Sequence, residues 1–363
     1  MLKELCVIGH PGRCGGASTE LDHQIRCWHA MGVTAHLCPT SPPDANARAM
    51  RLEDRGCIYH APCDWPSIAG MHVISYCSRD FLRMLPEIRK HARTTTFVNC
   101  MSWAFDAEVA AVQQGLIDFE LYQTVHSMEK IAERLQGANE LERLLIHPYF
   151  HAADFPFQPR EPGLFRFGRI SRSAPDKFGK KQLWIYETMT APEHKQGLIL
   201  GWGAEVEKKL GRPPFWIGTM PSSSLSQQAF YQFANAVIMS TAGTENLPRV
   251  GFEAMASGSV LVVDDRGGWQ LQVENGKTGW LCKDEREFVY KASRLAHEKN
   301  EAADMRHAAR QKLEASWGLN PAMESWSRVF EAWEARRDSE RIMPRIVNVS
   351  AGVRNVLGLS PAK

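Results

Sequence analysis

The sequence predicts a parallel α/β protein built of two domains, and three observations lead to this class. Short apolar segments of strand length alternate with amphipathic helical segments, which is typical of parallel sheets covered by helices. The alternation runs through two successive stretches, which a segment rich in proline and aromatic residues separates. The chain of 363 residues, 44% of them hydrophobic, is long enough to bury two cores.

The first domain is predicted to begin with a strand and a helix. Residues 5–8 form the strand, and a helix follows at about 19–31, with Leu21, Ile25 and Trp28 on one face. The alternation then continues along the chain. Further strands are predicted at 34–37, 57–60, 72–76, 96–99 and 119–124.

A proline-rich segment at residues 151–162 is predicted to link a first domain, 1–150, to a second domain, 163–337. The tail, 338–363, is expected either to complete a crossover to the first domain or to be mobile. The second domain repeats the alternation and then becomes helical. Its predicted strands lie at 164–170, 198–201, 215–217, 236–240 and 260–263, and its last helices at 285–299, 301–317 and 321–337.

Composition argues against several classes of protein. The formal net charge of +2 provides no general attraction to nucleic acid or to an acidic membrane. Nine cysteines without a CxxC pair indicate reduced thiols in the cytoplasm, rather than a disulfide framework or a structural metal site. The first strand follows Met1 closely, which leaves no room for a targeting segment, and no apolar run reaches the ~20 residues that span a membrane.

Two glutamates near the start of a helix form the most informative pattern in the chain. Glu245 lies in a loop, and Glu253 lies in the helix that this loop opens, with Pro248 suited to the first turn and Gly258 to the end. At ~1.5 Å rise per residue, Glu253 lies about 8 Å along the axis from the loop. The N–H groups between the two carboxylates suit a phosphate. A nucleotide sugar carries hydroxyls on both sides of its phosphates, on the sugar at one end and on the ribose at the other. Two hydroxyl-binding carboxylates that flank a phosphate site match this layout.

The segments 244–258, 262–268 and 273–281 resemble the donor-binding half of retaining glycosyltransferases of family 4. The resemblance implies the GT-B fold, in which two Rossmann-like domains face each other across a cleft and a C-terminal helix crosses back to the first domain. It also implies that Glu253 accepts from the ribose hydroxyls and that Glu245 is a catalytic residue at the sugar. The distal phosphate is then expected at the loop amides around Asn246, Leu247, Pro248 and Arg249.

Basic side chains after the first strand of the second domain are expected to hold the leaving diphosphate, because the sequence shows no metal-binding constellation. Arg169 and Lys177 resemble the family's arginine–lysine clamp and are expected to act in catalysis. They lie eight positions apart here, so that three neighbouring cations are alternatives for the same roles: Arg172, Lys180 and Lys181.

The resemblance places further loops near the donor. Thr219 lies in the counterpart of the family's nucleobase-binding loop, and Gly15 and Gly16 lie in the loop that closes over the donor phosphate. Many members of the family carry a histidine after the fourth strand of the first domain. The corresponding segment, 97–103, has none, and four residues are alternatives for its place: Asn99, Ser102, Trp103 and His126.

These features imply a metal-independent enzyme that transfers a hexose from a UDP- or GDP-sugar to an acceptor hydroxyl with retention of configuration. The nucleotide sugar is a substrate, so no separate cofactor is expected. A leaving phosphate oxygen can take the acceptor proton, and no carboxylate base is assigned. A non-catalytic nucleotide-sugar-binding protein is the alternative from another class, but the presence of both Glu245 and Glu253 favours an enzyme.

The sequence leaves the acceptor and the oligomeric state open. The segment 79–93 holds five Lys or Arg against two acids, a pattern that suits a lipid surface or DNA phosphates. The segment 15–23 and the basic element after Gly168 are similar to virus-associated glycosyltransferases. This similarity implies, as an alternative, the glucosylation of 5-hydroxymethylcytosine in DNA, with the base flipped out of the duplex.

Overall fold

The computed structural model of the protein describes residues 2–9, 15–136, 140–160 and 163–336. The chain forms two compact units. The first takes in the chain up to Tyr149 and the helix that starts at Leu319, and the second is Phe150–Gly318. Each unit contains one parallel sheet with helices connecting the strands. The predicted tail at 338–363 lies outside the described residues.

The first unit is built around a seven-stranded parallel sheet. Segments such as His72–Tyr76 are buried on both faces, which is typical of central strands in parallel sheets. Each predicted strand is present, but Glu142–Leu145 was not predicted, because this edge strand is mostly exposed and has no apolar pattern. In chain order the elements are β1 (Glu4–Ile8), α1 (Gly16–Ala30), β2 (Thr34–Cys38), α2 (Ala45–Arg48), β3 (Ile58–Tyr59), β4 (His72–Tyr76), α3 (Arg79–Ile88), β5 (Thr94–Asn99), α4 (Asp106–Gln113), β6 (Phe119–Tyr122), α5 (Val125–Ala132) and β7 (Glu142–Leu145). The strand order is β3-β2-β1-β4-β5-β6-β7.

The second unit contains a six-stranded parallel sheet. The predicted strand at 215–217 is displaced, because two prolines precede Phe215, which is fully exposed, and the strand starts only at Ile217. The elements that follow β7 are β8 (Phe165–Ile170), α6 (Gln182–Thr188), β9 (Lys195–Leu200), α7 (Ala204–Leu210), β10 (Ile217–Met220), α8 (Gln227–Phe233), β11 (Ala236–Met239), α9 (Arg249–Ser257), β12 (Val260–Asp264), α10 (Trp269–Gln272), β13 (Gly279–Cys282), α11 (Glu285–His297), α12 (Lys299–Trp317) and α13 (Leu319–Ala335). The strand order is β10-β9-β8-β11-β12-β13.

The last helix, α13, belongs to the first unit. Trp326 is fully buried there, with its ring centre 5.0 Å from that of Trp28, and its Nε1 donates to the Gln24 side chain at 2.5 Å. The predicted range 163–337 counts this helix with the second domain, whereas its apolar face completes the core of the first unit. The expected return of a C-terminal helix to the first domain is confirmed.

In each sheet all strands run in the same direction, so that the loops after the strands emerge at one edge. Ligands of open parallel sheets bind outside this carboxyl edge. Across the described ranges, no helix combines the length and the apolar character that crossing a membrane would require.

Candidate functional site

Two charged side chains meet where the neighbouring strands β8 and β11 end. Lys177 lies in the loop after β8, and Glu245 lies in the loop after β11. The Nζ atom of Lys177 is 2.8 Å from Oε1 and 2.9 Å from Oε2 of Glu245. The two side chains are 22% and 17% exposed, so this ion pair remains accessible to a ligand. Two residues that the sequence singled out separately thus form one unit.

The loop that carries Glu245 is held in place by the turn after β12. The Gly268 N–H donates to the carbonyl of Glu245 at 2.8 Å. A Cβ atom at Gly268 would lie 1.7 Å from the carbonyl oxygen of Asn246, so only glycine permits this close approach. The Gln272 side chain donates to the carbonyl of Pro248 at 2.9 Å. The loop therefore follows a fixed path into the helix behind it.

Helix α9 begins directly after this loop. Pro248 is the N-cap of this helix, whereas the sequence predicted it within the first helical turn. Gly258 ends the helix with a φ of 76°. The N–H groups of a first helical turn lack partners within the helix and can bind an anion. The Leu247 side chain packs in the core, and the Arg249 guanidinium lies 4.9 Å from the centre of the Phe150 ring. Both residues can therefore offer a ligand their backbone rather than their side chains.

Glu253 lies within α9 and is only 2% exposed. Its Oε2 accepts a hydrogen bond from the Tyr231 hydroxyl at 2.9 Å, and its Oε1 accepts one from the Gln227 side chain at 3.2 Å. Burial raises the pKa of Glu253 to about 7, against the opposing effects of Tyr231 and of the Arg249 charge. The carboxyl group is therefore near the midpoint of its titration at neutral pH. Both hydrogen-bond partners come from α8, and neither was predicted.

Arg169 lies in a different place from the one expected for a diphosphate clamp. It is fully buried in β8, with one guanidinium nitrogen donating to Gln182 Oε1 at 2.7 Å and to the Ser240 carbonyl at 3.2 Å. The other terminal nitrogen donates to the carbonyl of Lys177, and the Phe178 ring centre is 3.8 Å from the guanidinium carbon. Burial lowers the pKa of Arg169 to about 10, which leaves it charged at neutral pH. Arg169 thus holds the loop that presents Lys177 and does not itself reach solvent.

The remaining predicted residues lie farther from this ion pair. Arg172 is exposed in the loop after β8, where it offers a second cation. Thr219 is half-buried in the edge strand β10, which β9 separates from β8. Gly15 and Gly16 belong to the first unit, where Gly15 precedes α1 with a φ of 100° and Gly16 is the first residue of that helix. The five residues before Gly15 lie outside the described ranges.

The two parallel Rossmann-like sheets and the return of α13 to the first unit define the GT-B fold. Residues 209–312 match the family model described as "Glycosyl transferases group 1". The chain therefore contains a glycosyltransferase group 1 domain, which corresponds to glycosyltransferase family 4.

Solved structures support the fold at low sequence identity. HepE from Anabaena, in complex with UDP-glucose, is 12% identical with a TM-score of 0.68, over 91% of this chain and 99% of that chain. A mutant of S. aureus TarM, in complex with fondaparinux, alpha-GlcNAc-glycerol and UDP, is 12% identical with a TM-score of 0.70, over 91% and 100%. The sucrose-phosphate synthase of Thermosynechococcus elongatus is 12% identical with a TM-score of 0.65, over 92% and 100%. No curated protein matches the chain in sequence.

Proposed function

We propose that this glycosyltransferase moves a hexose from a UDP-sugar to an acceptor hydroxyl with retention of configuration. The observation that carries the proposal is the ion pair of Lys177 and Glu245 beside the start of α9, which also contains Glu253. This arrangement offers a cation and helix N–H groups to a diphosphate, and a carboxylate to the hydroxyls on either side. HepE and TarM, which share the fold, were solved with UDP-glucose and with UDP. We extend this donor chemistry to the present chain.

The ribose of the donor is assigned to Glu253. Each oxygen of an ionised carboxylate can accept two hydrogen bonds, and Tyr231 and Gln227 each supply one. One acceptor position per oxygen remains for the two ribose hydroxyls. The nucleobase then extends toward the carboxyl end of β10, near Thr219, which agrees with the general location of ligands at parallel sheets.

The chemistry follows from where charge develops. When the bond between the anomeric carbon and the diphosphate oxygen breaks, the electron pair stays on the diphosphate. Lys177 and the first-turn N–H groups of α9 stabilise this charge, and Arg169 fixes the backbone of Lys177. Glu245 orients the sugar while its anomeric carbon is cation-like. The acceptor oxygen bonds to that carbon on the face the diphosphate leaves, and its proton passes to a phosphate oxygen.

The substitutions Lys177→Ala and Glu245→Ala test this assignment. Each is expected to lower kcat/KM for UDP-glucose about 100-fold or more, because a preorganised group that stabilises the transition state is lost. UDP release measures the effect, with GDP-glucose and ADP-glucose assayed in parallel. Lys277→Ala is the matched control, since Lys277 pairs with Glu274 at 2.9 Å and its side chain is 72% exposed.

Two outcomes would contradict the proposal. If the wild-type protein neither binds nor cleaves any of these donors, the donor class is wrong. If Lys177→Ala retains full activity, the diphosphate does not bind at this ion pair.

The described residues offer no support for DNA as the acceptor, and the comparisons do not support a DNA-modifying subtype. The basic segment 79–93 was expected to be able to hold phosphates, but four of its five cations pair with carboxylates, and a polyanion requires unpaired cations. The contacts are Arg79 with the ring of Phe105, Arg83 with Asp80, Arg89 with Asp118, Lys90 with Glu87, and Arg93 with Glu334.

A further inference from the structure

We infer that Trp103 is the stacking platform for the acceptor and that the acceptor is a neutral saccharide. This inference rests on the proposed transfer function and specifies its second substrate. Trp103 lies in the loop after β5 of the first unit, and its side chain is 43% exposed. Ligands of open parallel sheets bind at the carboxyl edge, and this loop emerges there. A large aromatic ring is thus available at the edge where a ligand of the first unit is expected.

Single exposed aromatic residues are common, so exposure alone does not indicate a site. The loop that carries Trp103 is distinguished by the hydrogen bonds that hold its backbone. Asn99, the last residue of β5, is fully buried, and its side-chain amide donates to the carbonyl of Trp103 at 3.1 Å. Its Oδ1 accepts from the N–H of Met101 at 2.7 Å. One buried side chain therefore fixes two positions of the loop.

Asn99 is itself held by a buried carboxyl group. Its Nδ2 lies 2.8 Å and 3.0 Å from the two oxygens of Glu108, which also accepts from the N–H of Phe105 at 2.9 Å. Glu120 lies beside Glu108, and burial together with the hydrogen bond to Glu108 raises the pKa of Glu120 to about 9. The two acids therefore retain a proton at neutral pH, and the network below the platform carries less negative charge than two free carboxylates.

The indole ring is oriented by its neighbours. The ring centres of Trp103 and Phe105 are 4.6 Å apart at an interplanar angle of 68°. The Arg79 guanidinium carbon lies 5.3 Å from the Phe105 ring centre, and Arg134 donates to the carbonyl of Ala104 at 2.8 Å. The aromatic platform is thus ordered before any ligand arrives, which reduces the entropy lost on binding.

The charges around the platform select the class of acceptor. Arg134 pairs with Asp106 at 2.8 Å, so among the described residues this cation is already neutralised and is not offered to the phosphates of a nucleic acid. A lipid surface would require a contiguous apolar patch, whereas polar residues such as Ser102 and Asp106 flank Trp103 in the chain. A neutral sugar ring requires neither unpaired cations nor a contiguous apolar patch. Its C–H face packs on the electron-rich face of an indole, and its hydroxyls bond to polar neighbours.

Trp103→Ala tests this inference with defined probes. The probes are an array of immobilised neutral glycans, a duplex DNA that contains 5-hydroxymethylcytosine, and UDP-glucose. The wild type is expected to bind neutral glycans, and Trp103→Ala to weaken this binding at least about tenfold. Trp103→Phe should retain part of the affinity, because a smaller ring still stacks. Trp184→Ala is the matched control: its side chain, 42% exposed on α6, has the same exposure in the other unit.

Kinetics then separate stacking from a structural role. With a glycan that the wild type glycosylates, Trp103→Ala should raise the acceptor KM at least about tenfold and change kcat at saturating acceptor much less. The inference is overturned if no neutral glycan binds, if Trp103→Ala binds glycans as tightly as the wild type, or if only the DNA binds. UDP-glucose affinity distinguishes this failure from a failure of the donor site, because Lys177, Glu245 and Glu253, to which the donor is assigned, all lie in the second unit.

Discussion

At the residue scale, Glu253 connects protonation with donor binding. Its carboxyl group is buried and accepts hydrogen bonds from Tyr231 and Gln227. These two hydrogen bonds offset only part of the free energy that is lost when a charged carboxylate is removed from water. The pKa of Glu253 is consequently raised to about 7, which places the change of charge within the physiological range. A carboxylate that accepts from two ribose hydroxyls must be ionised, so donor binding and proton release are coupled.

Donor affinity is therefore predicted to rise with pH. Because the free protein has a Glu253 pKa of about 7, UDP-glucose should bind on the order of tenfold more weakly at pH 6 than on the plateau above pH 8. Calorimetry at several pH values measures this slope. UDP-glucose is the appropriate probe because its diphosphate does not titrate in this range.

Glu253→Gln provides the control for the pH dependence. The amide keeps the shape of the side chain and does not ionise, so its weaker binding should be independent of pH between 6 and 8. The same slope in wild type and Glu253→Gln would show that another group is responsible.

At the element scale, the loop between β8 and α6 depends on an internal support. Arg169 binds the carbonyl of Lys177, while Gln182 accepts from both Arg169 and the N–H of Ser240. This network joins the loop that presents the cation to the end of β11, from which the loop with Glu245 continues. We expect Arg169 to act through Lys177.

A double-mutant cycle tests this dependence. Arg169→Lys retains the charge but cannot reproduce the forked contacts, so donor affinity should fall about tenfold. In the Lys177→Ala background, Arg169→Lys should lower donor affinity hardly any further, because the side chain that Arg169 positions is already absent. Additive losses in the double variant would indicate instead that Arg169 contributes independently of Lys177.

The same elements show what the sequence could and could not predict. The alternation of strand and helix patterns predicted the parallel architecture, because apolar periodicity is a local property of the chain. Glu245 and Lys177 could be selected because the segments that contain them resemble the donor-binding motifs of family 4. The burial of Arg169 depends on Gln182 and Ser240, which are distant in sequence, and local pattern contains no information about such contacts. The hydrogen bond from Tyr231 to Glu253 escaped prediction for the same reason.

At the scale of the whole molecule, α13 stabilises the first unit. Trp326 is fully buried and packs on Trp28 of α1, while Trp333 of the same helix is also fully buried. The second unit has its own cores, which include the fully buried Trp269. The two units therefore have separate sources of stability.

Substitutions of two buried tryptophans should separate the units in unfolding experiments. Trp326→Ala is expected to cost the first unit about 3–5 kcal/mol, and Trp269→Ala to cost the second unit a similar amount. Calorimetry should show a lower unfolding temperature for the first unit in Trp326→Ala and for the second unit in Trp269→Ala. The unfolding temperature of the other unit should be unchanged in each variant. Equal shifts of all transitions in both variants would mean that the molecule unfolds as one cooperative block.

The position of α13 also sets an order of events during synthesis. Phe150–Gly318 is a continuous stretch of chain, so the second unit has all its residues as soon as Gly318 has left the ribosome. The first unit lacks α13 until the chain beyond Leu319 has been synthesised. Until then, the apolar surface of the first unit around Trp28, on which α13 packs, stays uncovered. The middle of the chain can thus fold before its beginning, and the nascent N-terminal half is the part that most needs chaperone protection.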